Sequence, residues 1–306
     1  MEERNTRSLF APPYLTGIFG YNIKYSLSPL LHSFMNKIVN ANLCYGRFDV
    51  SPENFADAFN GFKALGMKGA NITKPYKTEV LKYIDFLSPE SNIVGAVNTV
   101  NLEEEGYYRG YNTDIDGFIK AVNYEFKENL NGKNVILIGA GGASRAVLYA
   151  LIKEDVKNII IVNRSEENAV KLKKEADLWK IPLNSYADII YSDFNHSVLL
   201  KKLLSKKWDI IVNTITPSDE SEKLINSLFG GMETLNGKLF FFDISYSTSY
   251  NPLTSPDFLK IYNEKSFKYT NGLSMLLFQA IESFYIWTGK RVDFNVAKEV
   301  LTKNQI

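Results

Sequence analysis

One stretch restricts the architecture of this chain more than any other. Gly139-Ala140-Gly141-Gly142-Ala143-Ser144-Arg145-Ala146 follows the apolar run Val135-Ile136-Leu137-Ile138 and opens a segment in which Val147, Ala150 and Leu151 recur at helical spacing. A glycine-rich turn between a buried strand and a helix is the context in which such a motif binds a dinucleotide. Gly139 suits the tight turn at the strand end, and Gly141 lets the backbone approach a pyrophosphate at the electropositive, N–H-rich start of the helix. The same glycines would serve an ordinary tight turn, but the strand before them and the helix after them favour the nucleotide. Gly139, Ala140, Gly141, Gly142 and Ala143 are therefore the expected cofactor contacts. Ser144 stands where the fingerprint has its third glycine, and its small side chain still permits close packing of helix on strand.

The next strand bears on which nucleotide. Asn158-Ile159-Ile160-Ile161-Val162 reads as a short buried strand, and it ends in Asn163-Arg164-Ser165 where an NAD-binding domain places an Asp or Glu for the ribose 2′-hydroxyl. A guanidinium offers a planar fork of donors to a phosphate, which a carboxylate would repel. NADP is favoured over NAD, with Asn163, Arg164 and Ser165 around the 2′-phosphate. Glu166 and Glu167 lie next door and weaken the field of Arg164.

With 306 residues, 45% of them hydrophobic, the chain is long enough for two domains with a core each. A formal net charge of +1 gives no electrostatic reason to expect nucleic acid or an anionic membrane as partner, so a small molecule is expected. Cys44 is the only cysteine, and His32 and His196 are the only histidines, which leaves no disulfide framework and no cysteine or histidine cluster for a metal. No apolar run approaches the ~20 residues needed to span a bilayer, and the charged first residues lead into no signal core. A cytoplasmic protein, monomer or homodimer, is the expectation.

Strand-like runs alternate with helical patterns in two blocks, the sign of parallel α/β layers. The first begins at Tyr14–Gly20 and has helical stretches around Pro29–Ile38 and Pro52–Leu65. The second runs from the glycine turn through 208–213 and 239–243. A last amphipathic segment sets Leu273, Leu276, Leu277, Ala280, Ile281, Phe284 and Tyr285 on one face, with Gly289 as its stop. Ligands in such folds lie beyond the carboxyl ends of strands, so a cleft between the blocks is the expected site.

Polar clusters in the first block do not read as ordinary surface. Ser26-Leu27-Ser28-Pro29 sets two hydroxyls on alternate positions ahead of a proline-started helix; Ser28 alone would suffice as its cap. Asn71-Ile72-Thr73-Lys74-Pro75-Tyr76-Lys77 repeats the alternation and adds a lysine after a restricted turn. Asn98 and Asp114 sit among small and apolar residues, where each would also serve as a turn former.

Together these clusters resemble the shikimate dehydrogenase family, from about Gly17 to the end of the chain. The serine pair is similar to Ser26 and Ser28, the Asn-x-Thr-x-Pro-x-Lys motif to Asn71–Lys77, and the Ala-Val-Asn-Thr and Asn-Thr-Asp motifs to Ala96–Thr99 and Asn112–Asp114. The Asp-x-x-Tyr segment resembles Asp243–Tyr246, and the glutamine of the last long helix Gln279. The resemblance implies an α/β fold in which residues 1–113 plus 272–306 form a substrate-binding and catalytic domain and residues 114–271 an inserted Rossmann-type NADP domain. It implies reduction of 3-dehydroshikimate to shikimate in aromatic amino acid biosynthesis. Lys77 and Asp114 would be the catalytic pair, Ser26, Ser28 and Tyr246 would hold the substrate carboxylate, and Asn71, Thr73, Asn98 and Gln279 its ring hydroxyls.

Three departures stand out. The family usually reads Gly-Asn-Pro, and a histidine directly before the serines, where this chain has Gly20-Tyr21-Asn22 and Tyr25. A second basic residue common after the Asn-Arg motif is replaced by Asn168, leaving Arg164 and Ser165 with Lys171 as a distant helper. Residues before Gly17 lie outside the match. A quinate/shikimate dehydrogenase tolerant of NAD is the nearest alternative, and an acid closing the second nucleotide strand would favour it. A catalytically silent, nucleotide-sensing relative would lack Lys77 or Asp114, and both are present.

Overall fold

The computed structural model describes residues 12–193, 207–215, 218–231, 239–246, 260, 262–263 and 267–303; His196 lies outside them. Two compact units emerge, Met1–Thr113 with Gln279–Ile306, and Asp114–Phe278.

The first unit contains β1 (Tyr14–Gly20), α1 (Ser28–Val39), β2 (Leu43–Asp49), α2 (Phe55–Ala64), β3 (Gly69–Ile72), β4 (Phe86–Leu87), α3 (Pro89–Val94), β5 (Thr99–Leu102) and β6 (Tyr108–Tyr111). Among the described residues its sheet has the order β2-β1-β3-β5-β6-β4. β1 runs parallel to β2 and β3, as in the parallel layers that the sequence pattern implies, while β5 is antiparallel to both β3 and β6. For β5 and β6 the cause is loop length. Residues 103–107 join β5 to β6 with Glu103 N–H bonded to the Tyr107 carbonyl, and so short a link can only turn the chain back on itself. In α2, Phe55, Phe59 and Phe62 recur at helical spacing and pack with Phe19, Ile72, Val100 and Tyr108 into this unit's core.

The second unit holds α4 (Asp114–Phe126), β7 (Asn134–Ile138), α5 (Gly142–Lys153), β8 (Asn158–Asn163), α6 (Glu166–Leu183), β9 (Asp188–Asp193), β10 (Ile210–Asn213), α7 (Asp219–Gly231), β11 (Phe240–Asp243) and β12 (Lys268–Thr270). Among the described residues every pairing in its sheet, β12-β11-β10-β7-β8-β9, is parallel. Counting β7 as first, the order is 3-2-1-4-5-6, the doubly wound arrangement, with its reversal between β7 and β10. Val135 to Ile138 are all buried, as strands covered on both faces require.

Toward the end of the chain come α8 (Leu273–Thr288) and α9 (Phe294–Lys303), with Gly289 at φ +66 just past the end of α8. From Gln279 onward α8 belongs to the first unit. There Trp287 Nε1 donates to the Val100 carbonyl at 2.9 Å, and a Cβ on Gly69 would come within 2.1 Å of that same nitrogen. Glycine at 69 is what lets the indole reach β5.

Candidate functional site

The glycine turn leaves the carboxyl end of β7, at the reversal of strand order. Gly139 has φ +114, a conformation that side chains disfavour, and Gly141 is the N-cap of α5. A Cβ on Gly141 would meet nothing within 4 Å, so the backbone is uncovered there. The first-turn N–H groups of α5 have no intrahelical acceptors, they sit at the positive end of the helix dipole, and no acidic residue occupies that turn. Bare backbone, N–H donors and no competing carboxylate suit a pyrophosphate. Ser144 does more than permit close packing: its Oγ accepts the Gly141 N–H at 3.0 Å.

At the end of β8, Asn163 Nδ2 donates to the Ser165 carbonyl at 2.9 Å and shapes the turn. Ser165 is the N-cap of α6, its Oγ accepting from the Asn168 N–H at 3.4 Å. Asn168 therefore has a backbone role, with no cation at that position. Arg164 is exposed between the two, and Glu166 and Glu167 occupy the first turn of α6.

The second unit also carries two acids and a phenol at the ends of its elements. Asp114 opens α4 and is buried. Tyr246 follows β11 half-buried, and burial together with the charge of Asp114 pushes its phenol up to about 12. Burial raises Asp243 to about 6, against hydrogen bonds from Ser245 and Asn213 that favour the carboxylate.

In the first unit the serine pair behaves differently from the sequence expectation. The N-cap of α1 is Leu27, without a side-chain bond, and Ser26 Oγ accepts the Ser28 N–H at 3.3 Å. Ser28 lies inside the helix, so its buried hydroxyl takes no part in the cap. Thr73 is half-buried at a turn that contains the cis Lys74–Pro75 peptide, its N–H bonded to Phe19 and its carbonyl to the Tyr76 N–H. Lys77 follows, half-buried, and its carbonyl accepts from Val97 N–H at 2.8 Å, which sets its backbone beside Asn98.

Asn71 and Asn98 meet in one buried network. Asn71 Nδ2 lies within reach of Ser283 Oγ (3.0 Å), Thr99 Oγ1 (3.2 Å) and the Asn98 carbonyl (3.3 Å), while its Oδ1 accepts from the Tyr45 hydroxyl at 2.7 Å. Asn98 Oδ1 accepts from the Thr113 N–H at 2.8 Å and its Nδ2 donates to Thr113 Oγ1 at 3.0 Å. Ser283 Oγ is 2.8 Å from Thr99 Oγ1 and donates to the Gln279 carbonyl at 2.9 Å, bringing α8 into the same cluster. Tyr45 extends it toward α1, stacking at 4.2 Å on His32, one turn after Ser28. Sequence reasoning missed Tyr45, Ser283 and His32. The one available signal was Ser283, four residues after Gln279 on the same helix face.

Comparison with known proteins identifies the family. Residues 18–100 match the shikimate dehydrogenase substrate binding domain, 121–194 the shikimate / quinate 5-dehydrogenase domain and 272–302 the shikimate 5'-dehydrogenase C-terminal domain. The shikimate dehydrogenase (NADP(+)) of Caldanaerobacter subterraneus subsp. tengcongensis is 37% identical over 280 residues, covering 90% of this chain and 92% of the relative. The chain belongs to the shikimate dehydrogenase family. Among solved structures, the shikimate 5-dehydrogenase of Listeria monocytogenes in complex with shikimate and NAD is similar with a TM-score of 0.79 at 29% identity, covering 98% of this chain and 99% of that one. A shikimate dehydrogenase in complex with NADP+ has a TM-score of 0.75 at 32% identity, covering 95% and 96%.

Within the shikimate dehydrogenase family, the missing proline before the serine pair has a local cause. Asn22 stands in its place at φ +56, and its N–H donates to Asp49 Oδ1 at 2.8 Å. Proline can supply neither that angle nor that donor. Tyr25, in the family's histidine position, is 87% exposed.

Proposed function

We infer that this protein catalyses the reversible NADPH-dependent reduction of 3-dehydroshikimate to shikimate, on the route to chorismate and the aromatic amino acids. The likeness over 90% of this chain and 92% of an NADP(+)-dependent relative carries the reading, because it takes in both units and not the nucleotide sheet alone. A doubly wound sheet by itself would leave the substrate open.

When bound, NADP supplies a hydride acceptor or donor at its nicotinamide. Oxidising the alcohol also releases a proton, and Lys77 is assigned to exchange it with the reacting oxygen, supported by the carboxylate of Asp114. Ser26, Ser28 and Tyr246 are assigned to the substrate carboxylate. With its phenol pushed up to about 12, Tyr246 keeps its proton at neutral pH and donates a hydrogen bond without setting a negative charge against that carboxylate. Asn71, Thr73, Asn98 and Gln279 are assigned to the ring hydroxyls, since neutral amides and hydroxyls both donate and accept. The Asn71 and Asn98 carboxamides are held for that task by the hydroxyls of Tyr45, Thr99, Thr113 and Ser283. Gly139–Ala143 are assigned to the pyrophosphate, and Asn163, Arg164 and Ser165 to the 2′-phosphate.

No helix among the described residues is long and apolar enough to cross a membrane. A cytoplasmic enzyme, monomeric or homodimeric and acting on small molecules alone, accords with the reading.

A second reading, a quinate/shikimate dehydrogenase tolerant of NAD, draws on the exposed Arg164 with Glu166 and Glu167 beside it. Steady-state assays with shikimate and quinate, each against NADP and NAD, separate the two. The shikimate and NADP pair should give the highest kcat/KM; quinate with NAD in that place would reverse the assignment.

A further inference from the structure

The geometry points to Thr214 as the residue that positions the dinucleotide turn, an inference that rests on the reading of Gly139–Ala143 as the NADP pyrophosphate site. Thr214 follows β10, the strand next to β7 at the reversal of the sheet. Its N–H and its Oγ1 both donate to the Ile138 carbonyl, at 2.9 and 2.6 Å. The same Oγ1 lies 2.6 Å from Ser144 Oγ, and Ser144 Oγ accepts the Gly141 N–H at 3.0 Å. A hydroxyl has one proton. Because that of Thr214 goes to Ile138, Ser144 must donate to Thr214, and the direction of the whole chain is set: Gly141 N–H to Ser144, Ser144 to Thr214, Thr214 to the last carbonyl of β7.

This relay closes a ring across the turn. Gly139 lies inside it, where a Cβ would come 2.3 Å from Thr214 Oγ1 and 3.0 Å from Ser144 Oγ. The turn is thus shaped from outside, by a side chain of the neighbouring strand end, as well as by its own glycines. Thr214 is itself held in place. Asn213 Oδ1 accepts from the Ile215 N–H at 3.3 Å, and Asn213 Nδ2 donates at 3.1 Å to Asp243, whose carboxylate also accepts the Ser245 N–H at 3.0 Å. With the Gly141 N–H used inside the protein, a pyrophosphate would draw on the N–H groups of Gly142 and Ala143, and their direction follows from the relay. Ser144, in the place of the third glycine, is explained by the same chain.

Direct binding of NADPH to the whole protein, without substrate, tests this by nicotinamide fluorescence or calorimetry. Thr214→Val keeps the shape and removes the hydroxyl; its Kd should rise about tenfold, the scale of one or two lost hydrogen bonds. Thr214→Ser restores the donor and should stay within about threefold of wild type. Ser144→Ala breaks the relay at its other end and should match Thr214→Val, with the double variant little worse than either. The KM for shikimate should be unchanged in all of them. A Thr214→Val protein that binds NADPH as wild type does overturns the inference, whereas a wild type that binds no NADPH overturns the cofactor reading instead. Should Thr214→Val fail to fold, Ser144→Ala decides in the same way.

Discussion

The Ser283 hydroxyl lies 3.0 Å from the Asn71 carboxamide nitrogen across 212 residues of sequence, joining helix α8 to strand β3 in the first unit. The same hydroxyl donates to the carbonyl of Gln279, so α8 and the buried amides share one anchor. Ser283→Ala removes that anchor from side chains assigned to the ring hydroxyls. We predict a rise in KM for shikimate of about three- to tenfold, with kcat and the KM for NADP little changed. Equal damage to both KM values would show a general loss of fold, and no change at all would remove Ser283 from substrate positioning.

His32 should make the first unit sensitive to acid. Its imidazole is fully buried against Tyr45, and burial lowers its pKa from 6.5 to about 3. Below pH 6.5 the unfolded chain takes up a proton that the folded chain refuses. Stability therefore falls as pH drops through that window, by about 3 kcal/mol at pH 4 from this group alone. His32→Phe keeps a ring on Tyr45 and cannot be protonated. Its Tm should fall less than that of wild type between pH 7 and pH 4, by about 5–10 °C. Superimposable pH profiles for the two proteins would rule His32 out as the acid-sensitive group.

What was legible in the sequence was what is local. The glycine turn, the strand at Tyr14–Gly20 and the stop at Gly289 follow from turn chemistry and apolar periodicity within a few residues. The start of α1 was legible only to one residue, because a Ser-x-Ser-Pro run fits a cap at either serine equally well. The hydroxyl partners were not legible. Tyr45 reaches Asn71 across 26 residues, Thr214 reaches Ser144 across 70, and serine, threonine and tyrosine are common on surfaces, so nothing nearby says that these are hydrogen-bonding hubs. Ser283, seven residues after Leu276 and three after Ala280, lies at the edge of the apolar stripe, and a lone serine there names no partner until the fold places β3 and β5 against it.

Arg164 should decide the cofactor. It is the cation at the end of β8, and no acid caps that strand. We predict that kcat/KM favours NADP over NAD by at least about tenfold, which corresponds to about 1.4 kcal/mol. Arg164→Ala should bring the two cofactors within about threefold by weakening NADP and leaving NAD as it was. An alanine variant that keeps its full preference would move the 2′-phosphate clamp elsewhere.

Lys77 and Asp114 are proposed to serve a single proton transfer, and their variants should reveal it. If the carboxylate supports the ammonium at the reacting hydroxyl, loss of either damages the same step, and effects of that kind do not add. Lys77→Ala should lower kcat about a hundredfold or more, the usual scale of a positioned acid or base, while shikimate still binds. Asp114→Asn keeps the shape and removes the charge, so it should be nearly as harmful. It should also lower the Tyr246 phenol, because the Asp114 charge is one of the two causes that raise it, and a spectrophotometric titration reads this separately from turnover. The double variant should then be little slower than Lys77→Ala alone. Rate losses that multiply would divide the two residues into independent roles, and a Lys77→Ala enzyme with near-normal kcat would end this mechanism.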